Sequence, residues 1–213
     1  MDHAELFKGR VYNFSALFDE ESCASLNCWL IDQYQARVRE LTIVYSTFGG
    51  QVCPALSTYD TIKFFSKYID IRQVALGMCQ SAATVVMTAV ELDKRYSGRN
   101  TRFMMHSVAR QLTDGEKHVC VPETPSPEML REMEAIIGRR SGDLDEPYAL
   151  QERIIDLVSE GTHLTAEQIR AMYARDSYFS AEKALEYGLI GHILEPTAPA
   201  EPIQPKRWWK LGR

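Results

Sequence analysis

The sequence has few cysteines and no pattern that would pair them. Its five cysteines are an odd number, and no two of them form a C-x-x-C motif. This usage is typical of free thiols in a reducing compartment rather than of a disulfide scaffold. No two of the five histidines lie at ligand spacing with cysteines, so a metal site is not expected. We therefore expect neither a metal nor a cofactor in this chain.

Long apolar runs and an excess of positive charge are also missing. No run of about 18 apolar residues could span a bilayer, and the polar, acidic start at residues 1–5 resembles neither a secretory signal nor a transit peptide. The formal net charge is −5, which gives the body of the protein no electrostatic reason to bind nucleic acid. We expect a cytoplasmic protein with no nucleic-acid or membrane partner.

What is present is an ordinary globular composition. The 213 residues, 45% hydrophobic and 25% charged, are enough for one sizeable core and argue against disorder. Residues 196–213 differ, because a Pro-rich stretch leads into a basic and aromatic tip at residues 205–213. That tip could contact a membrane surface, a nucleic acid or an acidic partner. Alternatively, it is a solvated tail without a role.

Apolar patterning predicts alternating strands and helices, and hence an α/β fold with right-handed crossovers. Short β-rich runs predict strands at residues 8–15, 41–46, 71–76, 102–106 and 190–194. Capping signals and helical periodicity predict helices at residues 19–37, 55–68, 82–90 and 148–160, with further helices starting at 126, 165 and 180. A turn at residues 113–116 between two apolar runs predicts a hairpin.

Three chemically suggestive segments follow three predicted strands. They are the pair Gly49 and Gly50, the turn that leads to Ser81, and His106. Functional groups of α/β proteins gather beyond the carboxyl ends of the strands, so these segments should converge at one sheet edge. Ser81 at a strand-to-helix turn is well placed as a nucleophile, although a serine there more often only caps the helix.

A nucleophilic serine needs a base and an acid that orients the base. The candidate base is His106, which read alone could equally be a core histidine. The candidate acid is Asp176, which read alone is a surface turn residue. Spacing by itself selects neither of them.

From about residue 10 to residue 194 the sequence resembles ClpP, the proteolytic subunit of the Clp protease. The resemblance is carried by segments that occur in the family's order and spacing, namely Ser46–Gly50, Tyr59–Thr61 with Phe64, Gly77 with Ser81, Lys94–Arg95, Asn100–His106, Arg175–Asp176, Ser180–Ala181 and Ala184–Leu189. It implies a serine endopeptidase with Ser81 as nucleophile, His106 as general base and then acid, and Asp176 as orienting acid. The backbone N–H groups of Gly50 and Ala82 would form the oxyanion hole.

The resemblance also implies an architecture and partners. The fold would be a ClpP/crotonase-like core of repeated ββα units with a hairpin-plus-helix handle at about residues 107–160. Residues 1–195 would form the peptidase domain and residues 196–213 a tail. Subunits would form a heptameric ring or double ring, and unfolded polypeptides would be cleaved inside its chamber. A hexameric AAA+ unfoldase would feed substrates, and ATP would act only through that partner.

Departures from the family pattern leave two alternative functions open. Phe48 stands where the family has proline before the glycines, the flanks of Ser81 are unusual, and the segment 107–147 is longer than in the family. The flanks of Ser81 motivate a catalytically silent or partner-activated ring subunit, and the longer segment bears on the contact between rings. A crotonase-type acyl-CoA enzyme on the same core is the third reading, because such enzymes also use paired backbone N–H groups on an oxyanion.

Overall fold

A mostly parallel sheet forms the centre of the structure. The computed structural model describes residues 3–110, 119–120 and 142–195. The strands are β1 (Arg10–Phe14), β2 (Glu40–Thr47), β3 (Asp70–Gln80), β4 (Arg95–Gly98), β5 (Arg102–Met105), β6 (Ala109–Arg110), β7 (Val119–Cys120), β8 (Ser177–Phe179) and β9 (His192–Leu194). The helices are α1 (Glu20–Gln35), α2 (Val52–Phe65), α3 (Ala82–Met87), α4 (Gly142–Gly161), α5 (Ala166–Tyr173) and α6 (Ala181–Glu186).

Strand β3 organises the seven-stranded sheet, whose main order is β1-β2-β3-β4-β9. On one side β3 pairs in parallel with β2. On the other side it pairs first with β4 and then, through residues 78–80, with β5. Strand β8 is antiparallel to β5 and completes the sheet. The carboxyl ends of β3 and β5 therefore lie side by side, as expected for an α/β fold of this class.

The main core lies between the sheet and its helices. All six residues of α3 are buried, which explains why this segment carries only small and apolar side chains and threonine. On α1 the buried face is formed by Cys23, Leu26, Leu30 and Gln33. A smaller apolar cluster joins Leu6 to Val44, Val74 and Tyr96. There, the 3-10 segment His3–Phe7 is tied to β2 because the Thr42 hydroxyl donates to the Leu6 carbonyl at 2.6 Å.

The structure corrects several predicted boundaries. Strand β3 does not end at Gly77 but continues to Gln80. Gly77 has a φ of +75° and lies where the register between β2 and β3 shifts, which is the pattern of a β-bulge. Helix α2 begins and ends three residues earlier than predicted. On α1, Tyr34 continues the helical spacing of Cys23, Leu26 and Leu30, which predicts burial, yet it is 44% exposed. Strand β4 was not predicted, because its four residues, Arg-Tyr-Ser-Gly, carry no apolar alternation.

Other predictions hold, and some fall outside the described residues. Strands β6 and β7 pair as the predicted hairpin, and the predicted capping box of α5 forms between Thr165 and Gln168. The hairpin turn at residues 113–116, the helix start at 126–128 and the tail at 196–213 lie outside the described residues. In the described part of the chain, no helix has both the length and the apolar composition needed to cross a membrane.

Candidate active site

Ser81 occupies the single position between β3 and α3. Its φ of +52° and ψ of −125° are unusual for a residue with a side chain, because Cβ then crowds the backbone. The conformation is held by a hydrogen bond from the Ser81 N–H to the Met104 carbonyl on β5, at 2.8 Å. The side chain makes no capping bond to α3, so the interpretation of Ser81 as a helix cap is wrong. Its hydroxyl is free to serve another partner.

That partner is His106, the first residue after β5. Ser81 Oγ and His106 Nε2 lie 2.7 Å apart, at hydrogen-bond distance. The register of the two strands explains the approach, since Gln80 pairs with Met104 and each side chain stands just past its strand end. When Nε2 carries no proton, the serine hydroxyl donates to it, and the pair then has the arrangement of a nucleophile and its base.

Burial sets the protonation state of His106. Removal of the ring from water lowers its pKa below the ordinary value, and this effect exceeds the opposing influence of the Asp176 carboxylate. The imidazole is therefore neutral at neutral pH. A neutral imidazole is the form that can accept the serine proton.

The pH dependence of activity follows from this direction. Because only neutral His106 can act as base, kcat/KM should fall as the pH drops through the His106 pKa, below the ordinary value of about 6.5. The negative charge of Asp176 raises that pKa, so Asp176→Asn should move the acid limb to still lower pH. A pH profile of peptide hydrolysis for both proteins measures this. An acid limb above 6.5 in the wild type, or a shift upward in the variant, would contradict it.

A glycine loop closes over the serine. Gly49 has a φ of +99°, and a Cβ added there would lie 2.6 Å from both the Gln80 carbonyl oxygen and the Ser81 Cβ. The loop is fixed by two hydrogen bonds, from Phe18 N–H to the Gly49 carbonyl and from Gln51 N–H to the Phe18 carbonyl. Only glycine permits this backbone path and this close approach.

Two backbone N–H groups beside the serine are available to a ligand. Among the described residues, neither the Gly50 N–H nor the Ala82 N–H has a backbone acceptor. Gly50, Ala82, Ser81 and His106 all line one cavity. Paired N–H donors next to a nucleophile are the arrangement that stabilises a tetrahedral oxyanion.

The glycine loop gives a direct prediction. Gly49→Ala should lower kcat/KM by about 10²-fold or more, because a methyl group at this position displaces Ser81 or the adjacent donor. Gly9→Ala is the matched control, since a Cβ there meets nothing closer than 3.9 Å. Steady-state kinetics with thermal melting of both variants distinguishes lost chemistry from lost folding. Equal activities would contradict the role of this close contact.

Asp176 stands apart from the other two site residues. It lies on the turn between α5 and β8 and is exposed. It lines an open groove of about 620 Å³ with Arg175 and Tyr178, not the cavity at Ser81. Among the described residues, no hydrogen bond joins Asp176 to His106. The structure therefore brings Ser81 and His106 into contact. Asp176 does not contact His106 but raises the pKa of its ring through its negative charge.

Gln151 is a contributor that the sequence did not reveal. It is 3% exposed on α4, and its Oε1 accepts the Val108 N–H at 3.2 Å. This bond ties α4 to the backbone two residues beyond His106 and so supports the position of the imidazole. No local signal could have indicated it, because the bond joins residues 43 positions apart.

The chain is similar to known proteins along most of its length. Residues 18–146 and 141–197 match the model of the Clp protease family. The ATP-dependent Clp protease proteolytic subunit 1 of Corynebacterium glutamicum is 27% identical over 194 residues, which cover 91% of this chain and 83% of that protein. Proteolytic subunit 2 of Rhodococcus jostii is 28% identical over 166 residues, covering 76% of this chain and 71% of that protein.

A solved structure extends the likeness to three dimensions. A ClpP1 mutant from Listeria monocytogenes superposes with a TM-score of 0.66 at 25% identity, covering 90% of this chain and 95% of that one. The predicted fold class and the predicted kind of enzyme, a ClpP-like serine endopeptidase, are thereby confirmed. With a family model matched along most of its length and a sheet that superposes on a solved relative, this chain belongs to the Clp protease family.

Proposed function

We propose that the chain cleaves peptide bonds with Ser81 as nucleophile and His106 as general base and acid. The observation that carries the proposal is the 2.7 Å contact between Ser81 Oγ and His106 Nε2. Ser81 is held in a strained conformation and its hydroxyl makes no cap. Strain at the end of β3 keeps the oxygen directed toward a ligand instead of toward its own helix.

The reaction would proceed by acyl transfer. Ser81 Oγ attacks the scissile carbonyl carbon while His106 takes the hydroxyl proton, and the carbonyl oxygen becomes an oxyanion facing the Gly50 and Ala82 N–H groups. Collapse of the tetrahedral intermediate breaks the C–N bond, and His106 gives its proton to the departing amine. Water, deprotonated by His106, then hydrolyses the acyl-enzyme and restores Ser81.

Asp176 would stabilise the imidazolium that forms during each proton transfer. Its carboxylate already favours protonated His106, which is the direction that this role requires. The contribution is electrostatic in the structure as it stands, since the carboxylate is exposed and not hydrogen-bonded to the ring.

The exposure of Asp176 favours one further candidate function. A subunit whose aspartate approaches His106 only within an assembly would be silent alone and activated by a partner.

The names of the relatives support a role in an assembly of several subunits, since they are called proteolytic subunits of an ATP-dependent protease. We therefore propose a ring chamber for polypeptide substrates, with ATP used by an associated AAA+ unfoldase rather than by this chain.

Covalent labelling tests the proposal. A fluorophosphonate should modify the purified wild-type protein at Ser81, located by peptide mass spectrometry, and should not modify Ser81→Ala. Ser57→Ala, which removes an exposed serine on α2, is the matched control and should label like the wild type. Native mass spectrometry of the same sample reports the assembly.

The outcomes separate the two candidates. Labelling of the isolated protein supports an autonomous peptidase. Labelling only after a ring or a second subunit is present supports the partner-activated subunit. Failure to label in every assembly would overturn the peptidase proposal.

A further inference from the structure

The cavity at Ser81 extends inward from the reacting atoms. It has a volume of about 100 Å³. At its mouth, Gly50 and Gln51 are exposed and Ser81 is half-buried. Its deeper walls are Val85, Met105 and Ile154, which are 4%, 1% and 7% exposed. A substrate whose scissile carbonyl lies against Ser81 would place the neighbouring side chain into this cavity, as the proposed function requires.

The volume limits the side chain that can enter. A cavity of about 150 Å³ lined by aliphatic residues holds a benzene ring, and this one is smaller. It therefore has room for an unbranched or singly branched side chain of four or five heavy atoms, and it excludes an aromatic ring. Overfilling such a site would displace packed core residues, which is energetically costly.

Besides Ser81 and Thr84, whose hydroxyl donates to the Ser81 carbonyl at 2.7 Å, two more hydroxyl-bearing residues line the cavity. Tyr173 and Ser107 both line it, at 5% and 4% exposure. Among the described residues, neither hydroxyl has a hydrogen-bond partner. Burial also raises the pKa of Tyr173, so its phenol stays protonated and can donate as well as accept. A hydroxyl that no described residue engages is available to donate to a ligand and to accept from it.

Charged side chains do not fit this lining. Besides His106, which is neutral, no described residue around the cavity carries an ionisable group that could compensate a buried carboxylate or ammonium. Desolvation would then oppose entry of a charge. What remains is an uncharged chain with hydrogen-bonding atoms at its tip.

We propose that Tyr173 is a specificity-determining residue of this peptidase, and that the cavity takes an uncharged side chain with a polar tip, of glutamine size, from the residue that supplies the scissile carbonyl. The glutamine amide both donates and accepts, which matches the two hydroxyls. The assignment rests on the proposed function and names its substrate class. Sites built to hydrogen-bond a substrate group discriminate strongly against analogues that lack it.

The test uses quenched fluorogenic peptides that differ only at this residue. Glutamine, methionine, glutamate and phenylalanine are compared on the full-length protein in its active assembly, and mass spectrometry locates the cleaved bond. Methionine matches glutamine in size without its amide, and glutamate adds only charge. We expect kcat/KM for glutamine to exceed that for the other three by about tenfold or more, as expected when a buried hydroxyl loses its partner.

Tyr173→Phe separates recognition from folding. It removes only the hydroxyl, so kcat/KM for the glutamine peptide should fall several-fold more than kcat/KM for the methionine peptide. Tyr68→Phe, at a tyrosine 56% exposed, is the matched control and should keep the preference. If Tyr173 had only a structural role, Tyr173→Phe would lower kcat/KM for both peptides by the same factor and leave the ratio of the two values unchanged.

Each remaining outcome decides one of the two proposals. Suppose that fluorophosphonate labels Ser81 but the enzyme prefers the phenylalanine peptide, or that Tyr173→Phe leaves the ratio of kcat/KM for glutamine to kcat/KM for methionine unchanged. Either result overturns the specificity assignment and leaves the proposed peptidase activity standing. Preference for glutamine on the leaving-group side of the bond also overturns it. Absence of both labelling and cleavage in every assembly overturns the proposed function, and the specificity assignment with it.

Discussion

Replacing His106 with alanine is expected to lower kcat/KM for a peptide by about 10⁴-fold or more. Without the imidazole, Ser81 loses the group that accepts its proton at 2.7 Å, and the departing amine loses its proton donor. The serine hydroxyl is a weak nucleophile at its own pKa. Only the oxyanion donors and substrate binding would then contribute to the rate.

Steady-state hydrolysis and the rate of fluorophosphonate labelling measure this effect together. Labelling should slow along with turnover, because both need the activated serine. His192→Ala is the matched control, since this exposed histidine on β9 is at hydrogen-bond distance from the Asp93 carbonyl and stacks on Tyr96, away from the cavity at Ser81. Turnover in His106→Ala within tenfold of the wild type would show that another group serves as base.

Replacing Arg95 with alanine should destabilise the fold by about 3–5 kcal/mol, because each hydrogen bond from a charged donor contributes about 1.5–3 kcal/mol and Arg95 makes several of them. Arg95 is 3% exposed, and its guanidinium donates to backbone carbonyls of four residues. The acceptors are Thr88 and Val90 after α3, Gly161 at the end of α4, and Gly188 after α6. Three segments remote in sequence are joined through one side chain.

The physical reason is the satisfaction of helix-end carbonyls. The last carbonyls of a helix have no partner inside it and carry partial negative charge, so a buried cation with five donors suits them. Desolvation lowers the pKa of Arg95 to about 10, and the guanidinium therefore stays charged at neutral pH. Its removal leaves buried carbonyls without donors, each of which costs free energy.

Chemical denaturation of Arg95→Ala against Arg99→Ala provides the comparison. Arg99 is 55% exposed and pairs with Glu182 and Glu195 at the surface, where ion pairs contribute about 0–1 kcal/mol. Arg95→Lys should recover only part of the loss, since an ammonium has three donors and lacks the planar fork. If Arg95→Ala and Arg99→Ala had the same free energy of unfolding, the proposed role of Arg95 in joining the three segments would be contradicted.

The local part of the site could be read from the sequence. A β-rich run, a serine and a small-residue stretch are neighbours along the chain, so their patterning reports a strand-to-helix turn directly. The same holds for Gly49 and Gly50 after β2 and for His106 after β5. The α/β class followed from the alternation of these segments.

Contacts between distant segments could not be read in this way. Gly77 suggested a strand end, yet it forms a bulge, because pairing with β2 and β5 continues beyond it. Asp176 was named through family resemblance, and its exposed position depends on how α5 and β8 pack. Tyr173, Gln151 and Arg95 acquire their surroundings from helices far along the chain.

The sequence by itself therefore determined which residue types stand at the strand ends, since local propensity and hydrophobic periodicity act over a few residues. Only the tertiary structure decided which of them meet. The register of β3 against β5 sets the 2.7 Å contact between Ser81 and His106, and the packing of α4 and α5 beside α3 sets the size and polarity of the cavity. Both depend on burial between segments whose separation in sequence carries no pattern, and this is why they emerge only when the chain is folded.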